Sequence, residues 1–220
     1  METTHAREAI EQLAKRPAVV TIDLHRGHLD PEVATLPLPA EASAALMERT
    51  VPLLDRFRAA GVPIIHVITS YRDRGEILSN PYWRFQSALE NSPRSAIAEH
   101  NLDHLPGIEL MPGIQGEGDA VVTTKKRYDC LLGTDLEITL ESRGIDSLLI
   151  FGVNTNSCVI ATTIAASVRD YAVFVVEEGV DTMLGDQLHD AASAVIGASF
   201  GWMVEGETAL SVLESVPAAG

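Results

Sequence analysis

Short apolar runs separated by helical patterns constrain the fold of this chain more than any other feature. The runs are rich in β-branched residues and lie at 18–24, 63–69, 120–124, 147–153, 172–177 and, more briefly, 201–204. A largely uninterrupted apolar strand is typical of a sheet covered on both faces. Helices between such strands supply the crossover connections that parallel pairing requires. We therefore predict an α/β fold, a Rossmann-like three-layer α/β/α sandwich with a mostly parallel six-stranded sheet.

The chain length of 220 residues suits one domain, which we predict over 1–220. The exception to the strand–helix alternation is a segment at about 70–119, rich in proline, glycine, histidine and charge. Long irregular segments in compact domains are usually functional. We predict that this segment is a lid or insertion.

Charge and composition exclude several classes of partner. The net charge of −15 disfavours nucleic-acid phosphates. No apolar run reaches the ~20 residues that cross a membrane, and the polar N-terminus lacks the apolar segment of a signal peptide. Two cysteines, Cys130 and Cys158, are too few for a disulfide framework. We expect reduced thiols, a cytoplasmic location, and neither a nucleic-acid nor a membrane partner.

Three polar residues stand at predicted strand ends: Asp23, Lys125 and Cys158. The carboxyl ends of parallel strands lie on one side of the sheet, so these side chains can meet. Cys158 begins a predicted helix, where unpaired N–H groups and the helix dipole favour the thiolate. Asp23 can accept the thiol proton, and Lys125 keeps the acid ionised. Each residue alone has an ordinary alternative, as a strand-end cap, a solvated lysine or a core thiol; their joint placement favours catalysis.

Four segments carry a resemblance to a known family: residues 20–25, 122–128, 133–136 and 152–159. The last reads Gly-Val-Asn-Thr-Asn-Ser-Cys-Val and is the most specific. Together they resemble the isochorismatase-like hydrolases, or cysteine hydrolases, in the amidohydrolase branch related to N-carbamoylsarcosine amidohydrolase. The resemblance extends from residue 18 to about residue 208, and it implies the isochorismatase-like hydrolase fold.

The resemblance implies a catalytic triad in which Asp23 is the general base and later the acid, Cys158 the nucleophile and Lys125 the third member. It also implies a cis peptide bond between Val153 and Asn154, with the N–H groups of Asn154 and Cys158 as the oxyanion hole. The implied reaction is hydrolysis of an amide, ureido or carbamoyl C–N bond in a small molecule through a thioester. Relatives with this fold are commonly homodimers or homotetramers.

Several residues are expected to contact the substrate. Two adjoin the triad in sequence, three belong to an aromatic and basic cluster in the 70–119 segment, and one replaces a neutral residue near the site. They are His25, Asn154, Tyr82, Trp83, Arg84 and Asp129. For the aromatic residues, packing under the lid is an equal alternative. Arg84 can pair with a substrate carboxylate, and Asp129 favours a cationic or hydrogen-bond-donating substrate.

We expect no metal and no cofactor. The Asp-x-His metal motif of nicotinamidases is replaced by Ser-Tyr-Arg-Asp at 70–73, which also disfavours nicotinamide as substrate. His25, His28 and Asp30 offer another group of metal-binding side chains. A polar loop with chance histidines is the favoured explanation for them.

Two other functions stay open. One is an ester or vinyl-ether hydrolase of the isochorismatase type in which Cys158 is not catalytic; the presence of Cys158 disfavours it. The other is a scaffold or carrier-binding domain without activity. The complete set of Asp23, Lys125 and Cys158 disfavours that alternative.

Overall fold

A parallel six-stranded sheet forms the centre of the protein, seen here in a computed structural model that describes residues 2–215. Its strands are β1 (Pro17–Ile22), β2 (Ile64–Thr69), β3 (Ala120–Lys125), β4 (Ser147–Val153), β5 (Ala172–Asp181) and β6 (Trp202–Val204). They lie in the order β3-β2-β1-β4-β5-β6, and every neighbouring pair is parallel. The predicted α/β sandwich is confirmed, with a sheet that is wholly parallel rather than mostly so.

Helices cover both faces of the sheet. Their bounds are α1 (Glu2–Leu13), α2 (Arg26–Leu29), α3 (Ala40–Ala59), α4 (Arg74–Leu78), α5 (Pro81–Ser87), α6 (Leu136–Ser142), α7 (Ile160–Ser167), α8 (Asp186–Ser199) and α9 (Gly206–Ser215). One apolar cluster joins α1, α3 and α9 to the sheet, and a second joins α6, α7 and α8 to the opposite face. Burial of both faces explains why the strands read as continuous apolar runs. Within residues 2–215, no helix is long and apolar enough to cross a membrane.

The strand order fixes where a site can form. From β1 the chain continues outward to β2 and β3, then returns to the other side of β1 to build β4, β5 and β6. In open parallel sheets, ligands bind beyond the carboxyl ends of the strands at such a reversal. The crevice between the ends of β1 and β4 is therefore the expected position of a functional site.

The 70–119 segment is more regular than its sequence indicates. It contains α4, α5 and two short 3₁₀ turns, Ser95–Glu99 and Pro106–Ile108. A third apolar cluster holds it in place, formed by Leu36, Tyr71, Ile77, Trp83, Ile97 and Leu102. The segment is thus anchored by its own buried side chains.

Strand β5 also exceeds its predicted end. The sequence indicates an end at residue 177, where acidic residues begin, but pairing continues to Asp181. An irregularity in the β4–β5 register allows this: beyond it, Gly152 pairs with Val180 and Val153 with Asp181. A local bulge in the register has no simple signature in the apolar pattern.

Gly152 in β4 has room for no side chain, which gives a stability prediction. Its φ is +131°, and an added Cβ would lie 2.1 Å from the carbonyl oxygen of Ile22 in β1. We expect Gly152→Ala to lower the free energy of unfolding by about 3 kcal/mol or more, because two backbones would have to separate. Urea unfolding measures the loss.

Gly61 provides the matched control. Its φ is also positive, +78°, but nothing lies within 4 Å of an added Cβ. Gly61→Ala carries only the backbone cost of a left-handed residue, about 1–2 kcal/mol. Equal losses in the two variants would contradict the role assigned to close strand contact at Gly152.

Candidate active site

Asp23, Lys125 and Cys158 meet beyond the strand ends. The Nζ of Lys125 lies 2.5 Å from Oδ2 of Asp23 and 3.3 Å from Sγ of Cys158. All three side chains are buried, with Asp23 and Lys125 each only 1% exposed. The structure therefore brings together the three residues that the sequence places at strand ends.

Strand β2, which lies between β1 and β3, ties two of these residues together. Asp23 leaves β1 in the left-handed region, with φ of 55°, which aspartate tolerates better than most residues. Its Oδ1 accepts a hydrogen bond from the backbone N–H of Thr69 at 2.8 Å. The Thr69 hydroxyl oxygen accepts another from Nζ of Lys125. The ends of three adjacent strands are thus joined by side-chain hydrogen bonds.

The buried Asp23–Lys125 pair is ionised. Burial by itself raises the pKa of Asp23, but the Lys125 charge, with help from His25, holds that pKa well below its usual value. Burial lowers the pKa of Lys125, and the Asp23 charge more than offsets this, so that pKa lies well above its usual value. Each charge therefore depends on the other to remain ionised at a buried position.

The surroundings of Cys158 disfavour the thiolate that the sequence predicts. Cys158 lies in a wide helical turn, Thr155–Val159, that precedes α7. Burial raises the pKa of its thiol to about 12; the Lys125 charge opposes this rise and the Asp23 charge adds to it. Desolvation and a neighbouring carboxylate outweigh the helix terminus that the sequence analysis relied on. The ionised Asp23 carboxylate is then the adjacent acceptor for the thiol proton.

A cavity of about 360 Å³, a volume that includes its opening to solvent, gives access to the triad. The strand ends contribute the triad, Thr69 and Asn154 to its wall. The 70–119 segment contributes Tyr71, Trp83, Arg94, Ile97 and His100. Further wall residues are His28, Leu36, Arg127, Tyr128 and Ser157.

Of the six residues expected to contact substrate, Asn154 and Trp83 line the cavity. The Val153–Asn154 peptide bond is cis, as the family resemblance implied. Trp83 is buried, and its Nε1 donates a hydrogen bond of 2.9 Å to the Tyr128 hydroxyl oxygen. The indole is thereby fixed as part of the cavity wall.

His25 lies behind Asp23 and outside the cavity wall. It is fully buried, with Nε2 3.4 Å from Oδ1 of Asp23. The side-chain nitrogen of Asn101 lies 2.9 Å from the same Nε2. His25 therefore contacts the proposed general base instead of the space available to a ligand.

Tyr82, Arg84 and Asp129 lie away from the cavity, so the prediction that they bind substrate loses its support. Tyr82 is 57% exposed, because the helical period of α5 turns Trp83 inward and its neighbour outward. Arg84 donates to the Leu78 carbonyl oxygen at 3.2 Å. Asp129 accepts a hydrogen bond from the Leu131 N–H at 2.7 Å, which fixes its own turn.

Several wall residues were not identified from the sequence as substrate contacts. Tyr128 belongs to a segment that resembles the family, but the sequence predicts no role for it. The sequence presents His28 only as a candidate metal ligand. Arg94 and His100 are single polar residues in a polar segment, and no spacing distinguishes them from their neighbours. Only the path of the 70–119 segment over the strand ends brings them to the site.

Asp23, His25 and His28 form a buried group whose potential ligand atoms lie within 4.8 Å of one another. Asp30, the other acid considered, instead pairs with Arg26 at 2.7 Å. Burial lowers the pKa of His28 to about 3, so its imidazole is neutral. The Lys125 ammonium already occupies one side of Asp23 and would repel a metal cation there. The absence of a resident metal stays a prediction.

Comparison with known proteins identifies the family. Residues 17–208 match the isochorismatase domain. The chain belongs to the isochorismatase family. The resemblance predicted from the sequence motifs is thereby confirmed.

Individual relatives of this isochorismatase-family chain are distant. It is similar to the ureidoacrylate amidohydrolase RutB of Methylobacterium radiotolerans, with 29% identity over 174 residues, which are 73% of this chain and 66% of that protein. The match thus spans just under two thirds of that relative. The fold is similar to a cysteine hydrolase from Pseudomonas syringae pv. phaseolicola, with a TM-score of 0.79, 20% identity and coverage of 92% and 97% of the two chains. It is also similar to N-carbamoylsarcosine amidase from Thermoplasma acidophilum, with a TM-score of 0.67, 22% identity and coverage of 87% and 97%.

The protonation state of Cys158 can be measured by ultraviolet thiolate absorbance. We expect the difference between the wild-type and Cys158→Ala spectra to show no thiolate at pH of about 8.5, where an ordinary thiol is half ionised. The signal should emerge only as the pH approaches about 12. Cys130 contributes equally to both spectra, so its absorbance cancels in the difference. A Cys158 thiolate already present at neutral pH would contradict this assignment.

Removing the Lys125 ammonium tests the buried pair. We expect Lys125→Met to lower the free energy of unfolding by about 3–5 kcal/mol at neutral pH, because it leaves the Asp23 carboxylate buried without its counter-charge. In the variant, burial without the Lys125 charge raises the pKa of Asp23 above its usual value. The loss should therefore shrink as the pH falls from neutral toward about 4, because the buried acid becomes neutral over that range.

Lys126→Met is the matched control for this substitution. The Lys126 side chain is 35% exposed, and its Nζ lies 3.6 Å from the Glu76 carboxylate. An ion pair of this kind contributes about 1 kcal/mol or less. Urea unfolding of both variants is compared at neutral pH and at a pH of about 4. Equal losses of unfolding free energy in the two variants would show that the buried pair does not cause the loss in Lys125→Met. A loss for Lys125→Met that does not depend on pH would show the same.

Proposed function

We propose that this isochorismatase-family protein hydrolyses an amide, ureido or carbamoyl C–N bond in a small molecule through a thioester at Cys158. The observation that carries the proposal is the contact of a carboxylate, an ammonium group and a thiol at the base of one cavity. These three groups can supply a base, a fixed positive charge and a nucleophile.

The first chemical step is formation of the acyl-enzyme. Asp23 accepts the proton of Cys158 as Sγ attacks the substrate carbonyl carbon and the C=O π electrons move to oxygen. The N–H groups of Asn154 and Cys158 would stabilise this oxyanion. Lys125 keeps its proton and stabilises the negative charge as it passes from carboxylate to sulfur and oxygen. Substrate binding excludes water from the cavity and strengthens these interactions.

The second step breaks the C–N bond. The oxyanion collapses to a thioester, and the proton held by Asp23 moves to the leaving nitrogen, which departs as ammonia or an amine. Water then attacks the thioester carbon and gives a proton to Asp23. Collapse of the second tetrahedral intermediate returns that proton to the sulfur and releases the acid product, so the thiol and the carboxylate are regenerated.

The relatives support the choice of a C–N bond. The ureidoacrylate amidohydrolase and the N-carbamoylsarcosine amidase carry ureido and carbamoyl substrates in their names. Hydrolysis of an ester or vinyl ether with Cys158 as a bystander is the alternative. The 3.3 Å contact between Lys125 Nζ and Sγ disfavours a bystander, because it places the thiol beside the ionised pair.

Substitution of the nucleophile tests the mechanism. We expect Cys158→Ser and Cys158→Ala to lose at least about 10⁴-fold in kcat for ammonia release from amide and ureido substrates, with the fold retained by circular dichroism. Cys130→Ala is the control: Cys130 is also free and buried, but lies outside the cavity wall, and this variant should retain turnover. Full activity in Cys158→Ala, or after alkylation of Cys158 by iodoacetamide, would exclude the thioester mechanism and favour the alternative.

We also propose that the protein acts in the cytoplasm as a homodimer or homotetramer. Both cysteines are free, as expected in a reducing compartment. Tyr82 and Phe85 present exposed aromatic rings on α5, which a neighbouring subunit would cover. Light scattering measures the oligomeric mass, and a monomeric mass would exclude this assembly.

A further inference from the structure

We propose that Arg94 is a specificity-determining residue that binds a carboxylate of the substrate. This inference rests on the proposed hydrolase function and makes it more specific. The substrate would carry an amide, ureido or carbamoyl group at the triad and a carboxylate at Arg94. The prediction of a carboxylate-binding arginine thereby moves from Arg84 to a residue that lines the cavity.

Arg94 combines burial with an unpaired charge. Its side chain belongs to the cavity wall, and the residue is only 7% exposed. The guanidinium carbon lies 5.7 Å from the centre of the Tyr128 ring, and the backbone N–H donates to the Ser92 hydroxyl at 3.0 Å. Among residues 2–215, no hydrogen bond or ion pair joins the guanidinium to a protein acceptor. Buried charges in folded proteins are ordinarily paired, so this group lacks its counter-charge.

The other arginine in the cavity wall is different. Arg127 donates to the carbonyl oxygens of Lys126 and Glu76 and to the Ser79 hydroxyl, at 2.6 to 3.3 Å. Its guanidinium also lies over the Trp83 ring, 5.1 Å from the centre. The Arg127 donors are therefore engaged within the protein, whereas those of Arg94 remain available to a ligand.

The charge balance of the cavity indicates an anionic ligand. Within the described chain, Asp23 supplies the one carboxylate of the cavity wall, and Lys125 neutralises it. His28 and His100 are neutral, because burial lowers both of their pKa values. Arg94 and Arg127 thus leave the cavity with a net positive charge, although the whole chain has a charge of −15. A substrate that brings one negative charge would offset part of this excess.

A carboxylate is the anion that matches this site best. The planar fork of a guanidinium binds the two oxygens of a carboxylate with two parallel hydrogen bonds. A phosphate group has more oxygens and a higher charge, and one free guanidinium leaves most of those oxygens without a donor. The neighbouring Tyr128 and Trp83 rings offer apolar contact to the short carbon chain between carboxylate and amide.

Binding to the inactive Cys158→Ala protein tests the proposal without turnover. The probes are monoamides of short dicarboxylic acids (malonamate, succinamate and glutaramate), N-carbamoylglycine, and the neutral succinamide. Calorimetry should show at least one acid probe binding about tenfold or more tightly than succinamide. Adding Arg94→Gln should weaken the binding of that acid by about 10- to 100-fold, as expected for loss of a charged hydrogen-bond pair. The binding of succinamide should be unchanged.

Two further variants separate recognition from folding. Arg84→Gln removes an arginine from the same segment whose side chain instead bonds to the Leu78 carbonyl oxygen, and it should leave all probes unchanged. Arg94→Lys keeps the charge but loses the bidentate fork, so it should weaken the acids less than Arg94→Gln does. In the enzyme that retains Cys158, Arg94→Gln should raise KM for the acid probes much more than it lowers kcat.

The outcomes distinguish failure of this inference from failure of the hydrolase function. If no acid probe is preferred over succinamide, or if Arg94→Gln leaves the acids unaffected, carboxylate recognition by Arg94 is overturned whether or not amides are hydrolysed. If inorganic phosphate competes more strongly than succinate, and only when Arg94 is present, the site is a phosphate site and the carboxylate assignment is wrong. If acids bind through Arg94 but no probe is hydrolysed, the anion site stands and the proposed reaction fails.

Discussion

The ion pair between Asp23 and Lys125 is the interaction on which the rest of the site depends. Asp23 follows β1 and Lys125 ends β3. These two strands are not adjacent, because β2 lies between them. Thr69, at the end of β2, bridges them with its backbone N–H and its hydroxyl. Neither charge is tolerated alone when its side chain is this deeply buried. Correct alignment of three strand ends is therefore a condition for having an ionised carboxylate at the base of the cavity.

The same pair controls the chemistry of Cys158. Burial raises the pKa of the Cys158 thiol, the Lys125 charge opposes this rise, and the Asp23 carboxylate adds to it because a second negative charge would be unfavourable there. The proposed nucleophile thus lies next to its proposed base in a setting that disfavours the thiolate. In the proposed mechanism, proton transfer becomes favourable only when an oxyanion and its hydrogen-bond donors share the charge. That mechanism would couple activation of the thiol to the presence of a substrate.

The proposed function assigns chemistry and selectivity to different parts of the fold. The strand ends hold the reactive groups through rigid backbone pairing, and the 70–119 segment places Trp83, Arg94 and His100 over them. That segment is fixed by an apolar cluster of its own, separate from the two clusters on the sheet faces. Its side chains can therefore differ between relatives without disturbing the sheet, which is a physical basis for varied substrates on one scaffold.

The sequence by itself determined the parallel sheet and the three residues that meet at its edge. Continuous apolar strands must be covered on both faces, and parallel strands must end on the same side, so Asp23, Lys125 and Cys158 could be placed together without coordinates. The tertiary structure alone decided the thiol's protonation and the cavity wall. Both depend on burial and on distances between residues remote in sequence, such as Arg94 and Tyr128. The route of the 70–119 segment sets the distance between Arg94 and Tyr128, and that route leaves no pattern in the residue order.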